Sequence, residues 1–199
     1  VALGATLSGA IEDHWMLFWI GSGRNGKNTL GYLVMGILGG YSKKIAAETL
    51  MSGFKGSKRH PTEIANLQGA RLAVSSEVGD GDFWDEQRLN ELSGDTKLSG
   101  RRMRQDFFTF DRTHKHLIYG NHRPQLRVVS DGIRSRIKIV PFTVSFKGRE
   151  DKDLPKKLKK EEGQILQWLI DGYALWLQSG KKLPRCTAVE LETQDYLDS

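Results

Sequence analysis

The chain has 199 residues, enough for one well-buried α/β domain with an appendage and too few for two complete enzyme domains. Its formal net charge of +6 and pI near 9.4 suit an anionic partner such as nucleic acid. A single cysteine, Cys186, excludes an internal disulfide framework and a cysteine-built zinc site; no apolar run approaches the roughly 20 residues of a membrane span, and no signal peptide is recognisable, so a reducing, cytosolic setting is expected.

Residues 1–10 form a short amphipathic lead that starts abruptly, as expected of a fragment whose N-terminal part is missing. The apolar run from His14 to Ile20 reads as a buried strand. It leads into Gly21-Ser22-Gly23-Arg24-Asn25-Gly26-Lys27-Asn28-Thr29 and then a helix to Leu38, stopped by Gly39-Gly40. A glycine-rich turn between a strand and a helix start gathers backbone N–H groups at the positive end of the helix dipole, which suits a phosphate. Two patterns overlap here. Gly21, Gly23 and Gly26 satisfy the dinucleotide fingerprint, with Glu48 about 22 residues beyond as the acid for a ribose. The same stretch nearly satisfies the phosphate loop of NTPases, with Lys27 in place and Asn28 where Ser or Thr is usual. Lys27 favours the NTPase, because a polyphosphate needs a cation between its last two groups and a dinucleotide does not.

Further along, residues 44–49 read as a short strand and 52–60 as a basic, glycine-rich loop closed by a helix start at Pro61. That loop is either a solvated one or a contact to DNA or to a neighbouring subunit's nucleotide. Residues 69–77 form an apolar run ending in Glu77, which at the carboxyl end of a parallel strand could orient and deprotonate an attacking water. Residues 84–92 read as a helix. Lys97, Arg101, Arg102 and Arg104 surround Gly100 in a hairpin or tight turn, followed by Phe107, Phe108 and Phe110. Cations beside aromatics suit single-stranded nucleic acid, although the spacing of the rings reads first as a half-buried strand. A strand over 115–121 ends in Asn121, either a turn residue or an amide placed to hold water or a terminal phosphate. Residues 133–142 alternate cations with aliphatics and read as the last strand. From 151 onward the chain is lysine-rich and helical; Ile165, Trp168, Leu169, Gly172, Tyr173 and Trp176 form a packing stripe, and a final helix spans about 188–197. His14, His60, His114, His116 and His122 show no metal-ligand spacing.

The ordered series 21–27, 71–77, 97–108, 120–124 and 133–136 resembles the C-terminal helicase domain of phage and plasmid primase-helicases, which are superfamily 3 helicases within the AAA+ ATPases. The likeness covers nearly the whole chain. It implies a P-loop NTPase fold, a three-layer α/β/α domain over 1–150 with a mostly parallel central sheet, followed by a helical segment over 151–199. It also implies a DNA helicase hydrolysing ATP with Mg²⁺ at the subunit interfaces of a ring, a homo-oligomer expected to be hexameric. A primase module is expected on the same full-length chain, and the setting is the cytoplasm of a bacterial host, on phage or mobile-element DNA. By the same likeness Gly21, Ser22, Gly23, Arg24, Asn25, Gly26, Lys27, Asn28 and Thr29 cradle the nucleotide, and Lys27 grips the β and γ phosphates. Glu77 is the catalytic acid, Asn121 the polar sensor, and Arg134 or Arg136 the arginine finger supplied to a neighbour. Lys97, Arg101, Arg102 and Arg104 belong to a DNA-binding hairpin. Two departures bear on the metal: Asn28 replaces the usual hydroxyl, so that the Asn28 amide oxygen serves, Thr29 substitutes, or water and phosphate hold most of the ion, and Ser76 stands where many NTPases have an aspartate. An AAA+ loader or remodeller and a dinucleotide-binding oxidoreductase are the alternatives.

Overall fold

The computed structural model of the chain describes residues 1–52, 61–76, 79 and 81–198. Strand β1 (Met16–Ile20) is buried along its whole length and splits its side chains between two cores: Met16, Phe18 and Ile20 enter one, Leu17 and Trp19 the other. A strand buried on both faces belongs in the middle of a parallel sheet. It is joined there by β2 (Ser42–Lys44), β4 (Leu72–Ser76), β8 (Lys115–Gly120) and β9 (Ile137–Pro141), in the spatial order β2-β4-β8-β1-β9, every pair parallel.

Helices cover both faces. The core on one side takes Val34 and Leu38 of α2 (Lys27–Leu38), Leu3 and Ala5 of α1 (Ala2–Ala5), and Leu169 and Trp176 of α7 (Glu162–Gln178). The other takes Ile64 of α3 (Pro61–Ala65), Leu89 and Leu92 of α4 (Glu86–Gly94), Ile133 of α5 (Asp131–Arg136), and Tyr196 and Leu197 of α8 (Thr187–Asp198). This is a mixed α/β fold of three layers with a parallel central sheet. The lysine-rich α6 (Leu154–Lys160) carries no buried residue, while α7 packs on α1 and α8 on β9. Two short ladders lie outside the main sheet. One pairs β3 (Met51–Ser52) with β5 (Phe83–Trp84), and the other is the hairpin of β6 (Lys97–Arg101) and β7 (Phe107–Asp111).

Several expectations need correcting. Residues 133–136 are helical: Ser130 caps α5 by accepting the Ile133 N–H, and Asp131 sits in the first turn, so the cap overrides the alternation of Ile133-Arg134-Ser135-Arg136-Ile137 and β9 begins only at Ile137. Residues 44–49 split into the end of β2 and a 3-10 turn at Ala47–Leu50. Gly100 lies inside β6 rather than at the hairpin turn, because a Cβ there would come within 2.6 Å of the Ala65 backbone; the turn falls at 102–106. In α7, Trp168 is not part of the buried stripe but 51% exposed. The outer edge of the sheet is closed: the Ile137 N–H donates to Ile133, the Ile139 N–H to Thr193 Oγ1 of α8, and Pro141 has none to offer.

Candidate functional site

Because the sheet is parallel, its strands end along one edge. Ile20 pairs with both Gly120 and Pro141, and Ser76 with Tyr119, so the segments following β1, β4 and β8 emerge together. The loop after β1 takes left-handed backbone at Gly23, Arg24 and Gly26, which turns the chain sharply into α2. Arg24 adopts that conformation under constraint: its guanidinium pairs with Glu150 and its carbonyl accepts the Phe146 N–H. A side chain at Gly21 is barred, since a Cβ would lie 2.0 Å from Asn25 Nδ2 and 2.6 Å from the Phe142 carbonyl oxygen.

Lys27 is the centre of the loop. It is 3% exposed, and Nζ donates to the Gly21 carbonyl at 2.8 Å, Asn25 Oδ1 at 3.0 Å and Asn121 Oδ1 at 3.2 Å. Burial lowers its pKa. Asn25 is fixed in turn by donating from Nδ2 to the Phe142 carbonyl at 3.1 Å. Gly26 caps α2 without a side chain, so no side-chain oxygen competes for the N–H groups of the first turn. Gly23, Arg24, Asn25, Gly26, Lys27, Asn28 and Thr29 line a cleft of about 290 Å³ with Asn121. A cavity of about 90 Å³ adjoins it, shared by Lys27, Asn28 and Asn121 and continued by Ser76, Tyr119, Gly120 and His122. A dipole-aligned helix start, a buried cation and an open cleft above them are the features that suit an anion.

Glu77 lies outside the described residues, as do residues 53–60 of the basic loop. Among the described residues there is no group of three or more His, Cys, Asp or Glu able to hold a metal. The side-chain oxygens beside the loop, those of Asn28, Thr29 and Ser76, are neutral. They fit a magnesium ion that takes most of its ligands from phosphate and water.

Arg134 and Arg136 sit at the other edge of the sheet. Ile137, the next residue, pairs with Met16 at the start of β1, about 16 Å of strand away from Gly21. Neither can serve its own chain's cleft. They differ from each other: Arg134 is 40% exposed and pairs with Asp198 of α8 at 3.3 Å, whereas Arg136 donates to the Gly132 carbonyl, abuts Gly94 and keeps its Nε buried without a partner among the described residues.

The hairpin alternates as a half-buried strand should, with Leu98, Gly100 and Phe110 inward. Phe107 is exposed, contrary to a core role for all three rings, and Phe108 is half-buried. Arg101 stacks on Phe107 and Arg102 on Phe108, with guanidinium carbons 4.9 and 5.0 Å from the ring centres. Lys97 pairs with Asp111 at 2.8 Å, and Arg102 also donates to Gln68. Arg104, in left-handed backbone, and the 81% exposed Met103 occupy the tip.

The sequence reading missed Arg123, which follows the Asn121 position and bonds Glu192 and Asp195 of α8. The signal available was the spacing of those two acids by three, which puts them on one helix face. No helix among the described residues is long and apolar enough to cross a membrane.

The chain is 26% identical over 159 residues to the mimivirus protein named "Putative helicase L207/L206", covering 80% of this chain and 16% of that one. It is 22% identical over 214 aligned positions to "Putative primase C962R" of African swine fever virus, covering 99% of this chain and 22% of that one. It thus spans less than a quarter of these relatives. Among solved structures it shares the fold of "The apo structure of NrS-1 C terminal region (305-718)", with a TM-score of 0.69, 14% identity, and coverage of 98% of this chain and 47% of that one. Residues 19–136, from β1 to the end of α5, match the family described as "Family of unknown function (DUF5906)"; this is more than half of the chain, which therefore belongs to that family.

Proposed function

We propose that the chain is the ATP-hydrolysing motor of a DNA helicase that serves replication of a virus or mobile element, a P-loop NTPase of the AAA+ superfamily 3 type working as a ring, in which a hexamer is the expected assembly. The observation that carries this reading is Lys27: a buried cation at a helix start, bonded across the sheet edge to Asn121, over a cleft lined by residues 23–29. In the proposal these residues cradle the ATP phosphates, Asn121 reads the terminal one, and Asn28 or Thr29 touches Mg²⁺. Glu77 is assigned the general base. Bound Mg²⁺ would neutralise charge developing on the phosphates.

Of the two candidate fingers, Arg134 is the better suited, being exposed and distant from its own cleft. The cations of the β6–β7 hairpin, Lys97, Arg101, Arg102 and Arg104, are assigned to the DNA backbone, and a primase module to the longer chain. The names of the mimivirus and African swine fever virus relatives support a replication role. The dinucleotide alternative is disfavoured by topology. Strand β2, which precedes Glu48, is separated from β1 by β4 and β8, about 14 Å across the sheet, whereas a ribose acid follows a strand adjacent to the loop strand.

The deciding experiment is steady-state ATP hydrolysis with and without single-stranded DNA, alongside solution mass. DNA-stimulated hydrolysis by an oligomer, with Glu77→Gln binding ATP without turnover, is expected. Hydrolysis indifferent to DNA would move the protein to the loader or remodeller class, and absence of ATP binding would end the proposal.

A further inference from the structure

Lys27 has three N–H donors, and all three are taken by oxygens of the chain itself. A phosphate can be gripped only by displacing one of them. The Gly21 carbonyl and Asn25 Oδ1 belong to the same rigid turn, and Asn25 is fixed further by Phe142. Asn121 makes the longest of the three bonds and comes from a different strand's loop, so it is the one to give way. The segment it heads is tied to α8. Arg123 bonds both Glu192 and Asp195, and the Tyr196 hydroxyl donates to the Pro124 carbonyl while accepting the Trp84 indole N–H at 2.6 Å. Burial pulls the Arg123 pKa down, but the two acids outweigh it and hold the guanidinium charged. Helix α8 in turn grips the far edge of the sheet, where Thr193 accepts the Ile139 N–H and Asp198 pairs with Arg134.

Resting on the ATP reading above, we infer that Arg123 is a positioning residue that passes the displacement of Asn121 by nucleotide to α8. The junction is built for this. Arg123 reaches two carboxylates one helical turn apart, Nη2 to Glu192 and Nη1 to Asp195, so it holds α8 at two points. The cleft and α8 are then coupled, and whatever shifts one must bias the other.

Hydrogen exchange of the full chain, with and without a non-hydrolysable ATP analogue, tests this directly. In the wild type, the analogue should protect residues 21–29 and change exchange across residues 192–197 of α8 by about threefold or more. Arg123→Gln should keep the protection of 21–29 and lose the response of α8, and Arg123→Lys, which retains one ion pair, should restore part of it. Leu38→Ala, a truncation in the core on the opposite face of the sheet from the buried residues of α8, is the control for general loosening and should leave the response of α8 intact. Protection of 21–29 with an unresponsive α8 in the wild type, or an undiminished response in Arg123→Gln, overturns the relay and spares the ATP reading. Absence of protection at 21–29 overturns both.

Discussion

At the carboxyl edge of the sheet, Lys27 is buried yet has an acceptor for every donor and borders an open cleft. At the amino edge, His114, His116 and Arg112 are buried as deeply, but both ring nitrogens of His114 and the Arg112 Nη2 have no hydrogen-bond partner among the described residues. The His114 and His116 rings meet edge to face at 4.8 Å, with Arg112 and Lys115 beside them and Asp13 as the carboxylate bonded to Lys115. The first arrangement is satisfied and accessible, as a binding site must be. The second is sealed and electrostatically costly, so it sets the conditions under which the fold exists. Substitutions at the carboxyl edge should therefore change chemistry with little effect on the fold, and those at the amino edge should change the fold, with Arg134 the exception that breaks the pattern.

Arg134→Ala carries the largest expected effect. An arginine supplied in trans is worth about 10³ to 10⁵ in turnover, and removing a 40% exposed side chain held by one surface ion pair should hardly move the melting temperature. Arg136→Ala should do the reverse, lowering stability by stripping a side chain packed on Gly94 and Gly132. Turnover of assembled protein, set against melting temperature for both variants, separates the roles; equal activity in Arg134→Ala and wild type would remove it as the finger.

Next in size is Lys27→Ala, for which ATP binding is lost and turnover falls by at least about 10², the scale for deleting one well-placed donor to developing charge. The fold should survive, because a desolvated cation leaves with its side chain. Isothermal titration of ATP against the variant checks it, and retained affinity would break the assignment of the carboxyl edge as the phosphate site.

The amino edge should announce itself through pH. Burial pushes His116 down to about 4, with Arg112 adding repulsion and the Leu92 backbone opposing only in part, and burial together with His116 pushes His114 well below its usual value. With folded pKa values below the unfolded 6.5, the unfolded chain binds protons that the folded one refuses. Stability is thus full above about pH 6.5 and is lost as pH falls toward 4, by on the order of 3 kcal/mol for His116 alone. Urea unfolding at pH 7.5, 6 and 5 measures it. A midpoint that does not fall over that range would show that the pair is not sealed from water in the folded state.

How far the sequence spoke for each edge differs for a physical reason. The carboxyl edge was readable because Gly21-Ser22-Gly23-Arg24-Asn25-Gly26-Lys27 concentrates its chemistry in one local turn, and a strand ending in Asn121 announces where a parallel sheet delivers its side chains. The amino edge was not. His114 and His116 show no metal-ligand spacing and nothing else that marks them out, since their burial depends on Arg112 and Lys115 folding against Asp95 and Asp13, interactions with no local signature. Alternation at 133–137 outweighed the Ser130-Asp131 cap and hid α5, although the cap was present in the sequence. The grip of α8 on the Asn121 segment joins residues about 70 positions apart, and no pattern within either stretch foretells it.

The smallest expected effect concerns the hairpin, which belongs to neither edge. Deleting a cation that neutralises one phosphate of a single strand should flatten the dependence of log affinity on log salt by about 0.7. The four cations are not equivalent in how they are held. Lys97 already faces Asp111, so a phosphate must compete with a carboxylate for it, and Lys97→Ala leaves that carboxylate to repel the strand. Arg101 and Arg102 lie on the faces of Phe107 and Phe108, which orders their guanidinium planes, and Arg102 also gives one N–H to Gln68. Arg104 is exposed at the turn beside Met103, in left-handed backbone. Anisotropy titrations of labelled single-stranded DNA over a range of salt should therefore show a lowered slope in Arg101→Ala, Arg102→Ala and Arg104→Ala. Lys97→Ala should lose affinity with a smaller change of slope, because the charge it removes was partly neutralised beforehand. If all four variants keep the wild-type affinity and slope, the cluster serves to hold the hairpin together, and the DNA-binding surface must be sought elsewhere on the chain.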